Sequence, residues 1–366
     1  MMASFDVLAE WVILVQTDAG CIKRAARDLS RCIHRLASLK GTNTTKPPEI
    51  ADRTKPAPPP EVPVIVLNSD GAAAGQNGFS WKADTGCIEI SGESDRGLCN
   101  GIYSFLAALG ISWPAPGQEK FPPKEVELSR CFPLSCDSVN APSHNKEAGL
   151  ASLRRYFVSM ENGELKKILK KSEAFAVWAA RQRYDAVIIP LKAFSSRTKR
   201  RKLKLLKQYT AEYDIGLEAG GYDLSSLAPR RYFFLHRDFF RMNEGRRIKA
   251  HHFCPTNPGL IALLEREGKK LFLAAGDVNV LHLWPDRGYE AVWCSCPSCR
   301  AFTPHEQNRI AVNAAADILA ALNPGAVISY FENTGEAETD ADTAGNIPMR
   351  KTLFRIKTLP GERGFP

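Results

Sequence analysis

The chemically most distinctive stretch of the sequence is Cys294-Ser295-Cys296-Pro297-Ser298-Cys299, which places three thiols within six residues. Thiolates at this spacing bind Zn²⁺, and a tetrahedral structural site needs a fourth ligand. Cys254 is the predicted fourth donor, and His251 or His252 could replace it. Buried reduced thiols or a disulfide would explain the same pattern. The sequence therefore predicts a structural zinc site, with these two alternatives open.

Two acidic residues, Asp286 and Glu332, each follow a run of residues typical of a buried β-strand. In a parallel α/β barrel the chemistry lies at the carboxyl ends of the strands, so neighbouring strand ends bring such acids together. Two carboxyl groups, one protonated and one charged, form the arrangement that cleaves glycosidic bonds. The alternatives are a turn cap for Asp286, after Pro285, and a solvated loop position for Glu332.

Three further residues lie at predicted strand ends and are candidates for contacts with a ligand. Trp284 would either stack on a sugar ring or pack in the core, and Tyr222 and Asp223 follow Gly220-Gly221 at another strand end. The sequence has no Gly-rich phosphate loop, no Ser nucleophile elbow and no His-Glu-x-x-His helix. We therefore expect no cofactor in the chemistry itself.

The elements that must position these residues alternate between strand and helix. Apolar runs predict strands at 126–132, 186–191, 215–219, 278–283 and 326–331, and helical patterns separate them. This alternation predicts a (β/α)₈ TIM-type barrel of which about five βα units are recognisable. The tail over 333–366 shows no further units, so the barrel looks incomplete. The tail is either truncated or frameshifted, or it has diverged.

A smaller α/β unit precedes the barrel. A strand at 11–15 and a helix at 21–39 come before a Pro-rich insert over 41–61, and further short strands follow it. The sequence thus predicts a sandwich-like α/β domain over 1–125 and a barrel-like domain over 126–332. The second strand of the insert-bearing domain is expected at 62–67.

A capped helix with a stiff exit carries a family resemblance. The stretch RGLCNGIYSFLAALGISWPAPGQE, residues 96–119, resembles the end of the α/β domain that precedes the catalytic barrel in bacterial glycoside hydrolases. The relatives in question are the α-glucuronidases, the β-hexosaminidases and a poorly characterised branch of similar proteins. Residues 178–189 (WAARQRYDAVII) and 293–299 (WCSCPSC) are similar to later segments of that family, which also carries the C-x-C-x-x-C pattern.

The resemblance implies a carbohydrate-active protein that acts on or binds oligo- or polysaccharide, with Asp286 and Glu332 as its acid/base pair. Some positions depart from the family. Asp286-Arg287 stands where β-hexosaminidases carry an Asp-Glu pair, and Tyr222 stands where relatives often carry His. These departures favour an alternative in which the chain is a catalytically inactive remnant or a sugar-binding protein of the same fold.

The net charge of +9 and the pI near 9.0 raise nucleic acid as a partner, because most of the excess lies in the basic run 197–207. Leu203 and Leu206 give this run an apolar stripe, so it is better explained as the outer face of a surface helix. Interleaved aromatic residues are absent, which leaves a basic nucleic-acid-binding protein as the weaker alternative.

The sequence shows no apolar run of the ~20 residues that a membrane helix requires. The first twenty residues lack the basic start of a signal peptide, so we expect a cytoplasmic protein, although members of the family are often exported.

Overall fold

A computed structural model describes residues 11–39, 46–52, 62–69, 77–83, 87–123, 134–138, 153–159, 163–286, 288, 292–331, 350 and 352–356. These residues form a mixed α/β structure with two six-stranded sheets. Most of the Pro-rich insert, the strand expected at 126–132 and most of the tail lie outside the described residues. No helix in the described ranges combines the length and the apolar character needed to cross a membrane.

The first sheet belongs to the N-terminal half. Its elements in chain order are β1 (Val12–Val15), α1 (Gly20–Leu39), β2 (Glu49–Asp52), β3 (Val64–Ser69), β4 (Phe79–Ala83), β5 (Cys87–Gly92), α2 (Asp95–Ala108) and β6 (Leu134–Ser138). The strand order is β2-β1-β3-β5-β4-β6, with β4 antiparallel to both of its neighbours. The helix α1 buries Ile22, Leu29 and Ile33 at helical spacing against this sheet and α2.

The last strand of this sheet lies beyond the residue at which the sequence placed the domain boundary. β6 pairs along its whole length with β4, from Leu134 opposite Ala83 to Ser138 opposite Phe79. The first sheet therefore extends past residue 125, and the second sheet starts later than the sequence suggested.

The second sheet fills the C-terminal half. In chain order the elements are β7 (Arg155–Phe157), α3 (Glu164–Lys170), α4 (Ser172–Arg181), β8 (Ala186–Ile189), α5 (Leu191–Phe194), α6 (Arg197–Ala211), β9 (Gly216–Gly221), β10 (Met242–Asn243), β11 (Arg246–Arg247), α7 (Pro258–Ala275), β12 (Val280–Leu283), α8 (Pro304–Leu322), β13 (Val327–Phe331) and β14 (Leu353–Ile356). β10 and β11 form a separate small hairpin.

All six strands of the second sheet are parallel, in the order β7-β8-β9-β12-β13-β14. The order of the strands across this sheet is the same as their order along the chain. Consecutive βα units in a barrel wall have this arrangement. The prediction of about five βα units from the sequence did not include the strands β7 and β14. Both are short and contain an arginine, so neither shows a continuous apolar pattern.

The two faces of the second sheet have different environments because side chains alternate along each strand. Tyr156, Val187 and Leu281 belong to the large core that includes the helices. On the opposite face, Ile188, Trp284 and Phe354 form a smaller apolar cluster without helical residues. That second face also carries the polar residues of the candidate site.

The two sheets are joined by a buried polar network at the start of α2. Arg96 is only 2% exposed and donates hydrogen bonds to the backbone oxygens of Tyr184 (2.7 Å) and Tyr213 (3.2 Å). Its Nε lies 3.6 Å from Asp185, whose carboxylate also accepts hydrogen bonds from Asn77 and Asn100. Because these groups are buried away from water, each of them depends on the others for its counter-charge or its hydrogen bonds.

Replacing Arg96 by Met should reveal how strongly this network holds the two halves together. We expect Arg96→Met to lose about 3 kcal/mol or more of unfolding free energy, because Asp185 keeps its charge in a buried site without a cation. Urea denaturation followed by circular dichroism measures the loss. The control Lys23→Met removes the exposed pair with Asp18 and should cost less than about 1 kcal/mol. Equal losses in the two variants would contradict the assignment.

Candidate active-site edge and four-cysteine centre

Four polar residues from four strands of the second sheet form one hydrogen-bonded layer. Arg155 on β7 donates through Nε to Glu218 Oε2 on β9 (2.6 Å), and His282 Nε2 on β12 lies 2.8 Å from the same oxygen. His282 Nδ1 lies 2.5 Å from Ser329 Oγ on β13. All four residues are buried. The register sets His282 directly opposite Ser329, and β8 lies between the strands of Arg155 and Glu218, so the layer spans five of the six strands.

The protonation states of this layer follow from its burial and its charges. Burial opposes ionisation of Glu218, but His282 and Arg155 outweigh it, and the pKa of Glu218 lies below its usual range. Burial also lowers the pKa of His282, more strongly than Glu218 raises it. The consistent arrangement is an ionised Glu218 paired with Arg155 and a neutral His282 that donates to Glu218 and accepts from the Ser329 hydroxyl.

An aromatic layer lies next to the polar one, toward the carboxyl ends of the strands. The rings of Phe157, Tyr222 and Trp284 contact one another at 5.5–6.0 Å between centroids. Trp284 is 0% exposed and donates its indole N–H to Ser329 (3.0 Å). Because Trp284 is fully buried, neither face of its ring is accessible to a sugar. Of the two roles considered for Trp284 from the sequence, the structure therefore supports packing in the core. Tyr222 is only partly buried at the same edge.

A glycine pair permits this close packing. Gly220 has a φ of +114°, and a side chain there would place its Cβ 2.0 Å from the backbone oxygen of His282. A Cβ at Gly221, whose φ is +122°, would lie 2.2 Å from the ring of Phe157. The Gly-Gly pair therefore allows β9 to approach both β12 and the aromatic layer.

Asp223 follows this pair and has a positioning role in the structure. Its buried carboxylate accepts hydrogen bonds from the Leu191 backbone N–H and from the Ser226 hydroxyl, both at 2.7 Å. It ties the turn after β8 to the turn after β9. Both carboxylate oxygens are therefore already engaged within the protein.

Asp286 lies at the carboxyl end of β12, as the sequence predicted from its position after Trp284. Its side chain is 19% exposed, and Oδ2 lies 3.6 Å from Arg230 Nη2 and 3.7 Å from His251 Nδ1. Arg230 also donates to the backbone oxygen of His251. Glu332, the predicted second acid, lies outside the described residues. The described part of the edge thus presents one carboxylate flanked by two basic groups.

His251 itself occupies an unusual backbone conformation. Its φ is +62°, in the left-handed region that non-glycine residues rarely adopt. Such strain persists where the surroundings fix it, and it concentrates at functional sites. Here the surroundings are the hydrogen bond from Arg230 and the approach to Asp286.

Sequence reasoning missed the polar layer and the two basic neighbours of Asp286. Glu218 and His282 each interrupt an otherwise apolar strand, and this was the available signal for the layer. Arg230 and His251 lie in a long connection after β9, where no periodic pattern indicates which side chains turn toward the strand ends.

The four cysteines singled out in the sequence come together in space. Their sulfur atoms all lie within 4.8 Å of one another, and all four residues are buried. Cys254 Sγ lies 3.6 Å from both Cys296 Sγ and Cys299 Sγ. Four sulfurs bound at 2.3 Å to one tetrahedral Zn²⁺ would lie about 3.8 Å apart, so the donor set and its spacing fit this ion. The four are free thiols in the structure, not disulfides.

Neighbouring groups support a thiolate in this four-cysteine centre. Hydrogen bonds from the Cys294 and Cys299 thiols outweigh burial and hold the pKa of Cys254 well below its usual range. The Met242 backbone N–H donates to Cys294 Sγ (3.2 Å). Gln307 on α8 accepts from the Cys294 N–H and donates to the backbone oxygens of Cys294 and Cys299. The centre therefore joins the connection after β9 to that after β12 and to α8.

No protein-family model matches the sequence, and no curated protein matches it either. Among solved structures, the chain is similar to a GH138 enzyme targeting pectin rhamnogalacturonan II, with 12% identity and a TM-score of 0.50 over 94% of this chain and 38% of the other. A GH20 exo-β-N-acetylglucosaminidase from Vibrio harveyi gives 10% identity and 0.49, over 94% and 54%. A GH20 β-N-acetylhexosaminidase from Streptomyces coelicolor A3(2) gives 10% and 0.47, over 95% and 65%. The chain has a glycoside-hydrolase-like fold and spans well under two thirds of the first of these proteins.

The neutral His282 predicts how stability depends on pH. Below pH 6.5 the unfolded chain protonates this histidine, whereas the folded chain does so only at lower pH. The unfolded state then binds more protons, so stability should fall as pH decreases from about 7 to 5, by up to about 1.4 kcal/mol per pH unit for this one proton. Urea denaturation at a series of pH values measures this slope.

His282→Gln keeps a donor for Glu218 but cannot titrate, and its slope between these pH values should be shallower. The exposed His236 provides the matched control, since His236→Gln should leave the slope of the wild type unchanged. A slope that is the same in wild type and His282→Gln would show that His282 does not titrate differently in the two states.

Proposed function

We propose that this protein is carbohydrate-active and that it cleaves or binds oligo- or polysaccharides at the carboxyl edge of the second sheet. The observation that carries the proposal is the position of Asp286, a partly exposed carboxylate at the end of β12, between Arg230 and His251. Strand ends on this side of a parallel α/β sheet are where such folds place their chemistry. The glycoside-hydrolase-like fold supports the same assignment.

In this proposal Asp286 acts together with Glu332. In the sequence Glu332 directly follows β13, and β13 pairs with β12, which precedes Asp286, so we expect the two acids at adjacent strand ends. A separation of about 5–5.5 Å between the carboxyl groups would give retention at the sugar carbon, and about 6.5–9.5 Å would give inversion. Tyr222, at the neighbouring strand end, would contact the ligand.

A sugar-binding protein without hydrolysis is the second candidate. It is favoured by Asp286-Arg287, which stands where β-hexosaminidases carry an Asp-Glu pair. The two candidates differ in one measurable property, which is whether a bound glycoside is turned over.

Hydrolysis of a panel of aryl glycosides tests the first candidate. We expect Asp286→Asn to lower the rate constant of the cleaved glycoside by at least about 100-fold, because the variant keeps the shape of the side chain but can neither transfer a proton nor carry the charge. Asp317→Asn changes an exposed acid on α8 and should leave the rate unchanged. Equal rates in all three proteins would remove Asp286 from the chemistry, and binding without turnover would favour the second candidate.

We also propose that the four-cysteine centre holds a structural zinc ion. Its support is the buried tetrathiol donor set, and its role would be to hold together the connections that carry His251 and Asp286. Such an ion adds no step to the chemistry, because four protein ligands leave no open position for a substrate.

Metal analysis of the purified protein tests the zinc assignment. We expect about one zinc per chain in the wild type and almost none in Cys254→Ser, since three thiolates bind zinc far more weakly than four. Cys87→Ser changes an exposed thiol outside the centre and should retain the ion. A wild-type protein purified with zinc present that contains none would contradict the assignment.

A further inference from the structure

Arg241 is a buried cation for which the described part of the chain supplies no counter-charge. The residue is 6% exposed, and both its Nε and its Nη1 are buried without a hydrogen-bond partner. Two other buried arginines of this protein have a carboxylate nearby: Arg96 Nε, which also lacks a hydrogen-bond partner, lies 3.6 Å from Asp185, and Arg155 pairs with Glu218. Arg96 is also hydrogen bonded to two backbone oxygens. A buried guanidinium without such partners is strongly destabilising, so its presence requires an explanation.

The backbone of Arg241 is held firmly in place next to the candidate active-site edge. The preceding residue, Phe240, forms an antiparallel bridge with Phe253, and one further step of this register sets Arg241 opposite His252. The backbone oxygen of Arg241 accepts a hydrogen bond from Ile248 (2.9 Å). His251, next to His252, is the residue that approaches Asp286. The backbone of Arg241 is thus paired with the segment that carries His251, the residue beside Asp286.

Among the described residues, no carboxylate is hydrogen bonded to Nε or Nη1 of Arg241. Arg230 lies over the ring of Phe240, at 5.8 Å from its centroid, and its Nη1 is also buried without a hydrogen-bond partner among the described residues. The segment 230–251 contains seven arginines and lysines but only two acids, Asp238 and Glu244. Asp286 is the acid that lies near Arg230, at 3.6 Å, whereas no ion pair of Arg241 is found among the described residues.

We propose that Arg241, together with Arg230, binds an oxyanion carried by the ligand of this edge, that is, a carboxylate, sulfate or phosphate group. A guanidinium presents several donors in a planar fork that matches an oxyanion, and in a dry site these charge-assisted hydrogen bonds are strong. Arg241 is 6% exposed and the Arg230 side chain is 30% exposed, so each retains some contact with solvent. The inference rests on the proposed function insofar as the oxyanion is carried by a sugar.

The thermal stability of ligand-free variants gives a first test. Removing an unpaired buried charge raises stability, whereas removing a paired one lowers it. We expect Arg241→Met to have a higher thermal midpoint than the wild type in buffer without polyvalent anions. The matched control Arg96→Met, which removes a paired buried arginine, should have a lower midpoint. A clear loss of stability in Arg241→Met would show that Arg241 is paired within the protein and would overturn the proposal.

Binding of three probes gives the second test, with the full chain and calorimetric titration at low ionic strength. Glucuronic acid and glucose differ by one carboxylate, and inorganic sulfate supplies an oxyanion without a sugar. We expect glucuronic acid to bind about 10- to 100-fold more tightly than glucose to the wild type. This preference should disappear in Arg241→Met, persist partly in Arg241→Lys, and persist fully when the exposed Arg246 is changed to Met.

The binding results show whether the oxyanion is free or carried by a sugar. They also distinguish failure of the oxyanion site from failure of the proposed hydrolysis. Tighter binding of sulfate than of glucuronic acid, lost in Arg241→Met, would support the site and assign it to a free oxyanion. Equal binding of glucuronic acid and glucose, with no binding of sulfate, would overturn the site even if glycosides are hydrolysed. An Arg241-dependent preference for glucuronic acid in a protein that hydrolyses no glycoside would support the site while the catalytic proposal fails.

Discussion

The second sheet depends on the pairing of buried charged and polar side chains that have no access to water. Arg155, Glu218 and His282 lie on three different strands, and each has a position fixed by parallel pairing. Transfer of such groups from water costs several kcal/mol per charge, so the layer is stable only while its hydrogen bonds stay complete. The Ser329 hydroxyl and the Trp284 indole N–H complete it. A single slip in strand register would break several of these bonds at once, so the layer fixes the alignment of the strands.

That alignment determines what lies at the strand ends. Trp284 is held by its bond to Ser329, and Asp286 follows two residues later, so the carboxylate inherits its position from the polar layer. From the other side, the connection after β9 brings Arg230 and His251 to the same carboxylate. The four-cysteine centre holds that connection against the one after β12, since Cys254 comes from the first and the other three thiols come from the second. The edge is therefore fixed by the strands below and by the cysteines beside it.

The sequence predicted those features that depend on local pattern. The alternation of strands and helices indicated a parallel α/β sheet, and the capped helix expected within residues 96–119 is α2, Asp95–Ala108, whose N-cap is Ser94. The short spacing among Cys294, Cys296 and Cys299 indicated a metal-type cluster, and Cys254 was named as its remote member. The strands β7 and β14 were missed because each has only three or four residues and includes an arginine. In such strands tertiary pairing, not an apolar pattern, determines the structure.

Long-range electrostatics was the part that no local pattern could reveal. The sequence allowed two roles for Trp284, stacking on a sugar or packing in the core. The position of Ser329, 45 residues later in the sequence, distinguishes between them. For Arg241, likewise, no pattern in the basic segment 230–251 indicates which of its cations is buried, because burial depends on tertiary packing. Arg96 and Arg241 are comparably buried, but both Nη atoms of Arg96 are hydrogen bonded, whereas Nε and Nη1 of Arg241 have no hydrogen-bond partner among the described residues. Since folding selects against buried charge without partners, the retention of Arg241 points to a contribution outside folding, which is the interaction with a ligand.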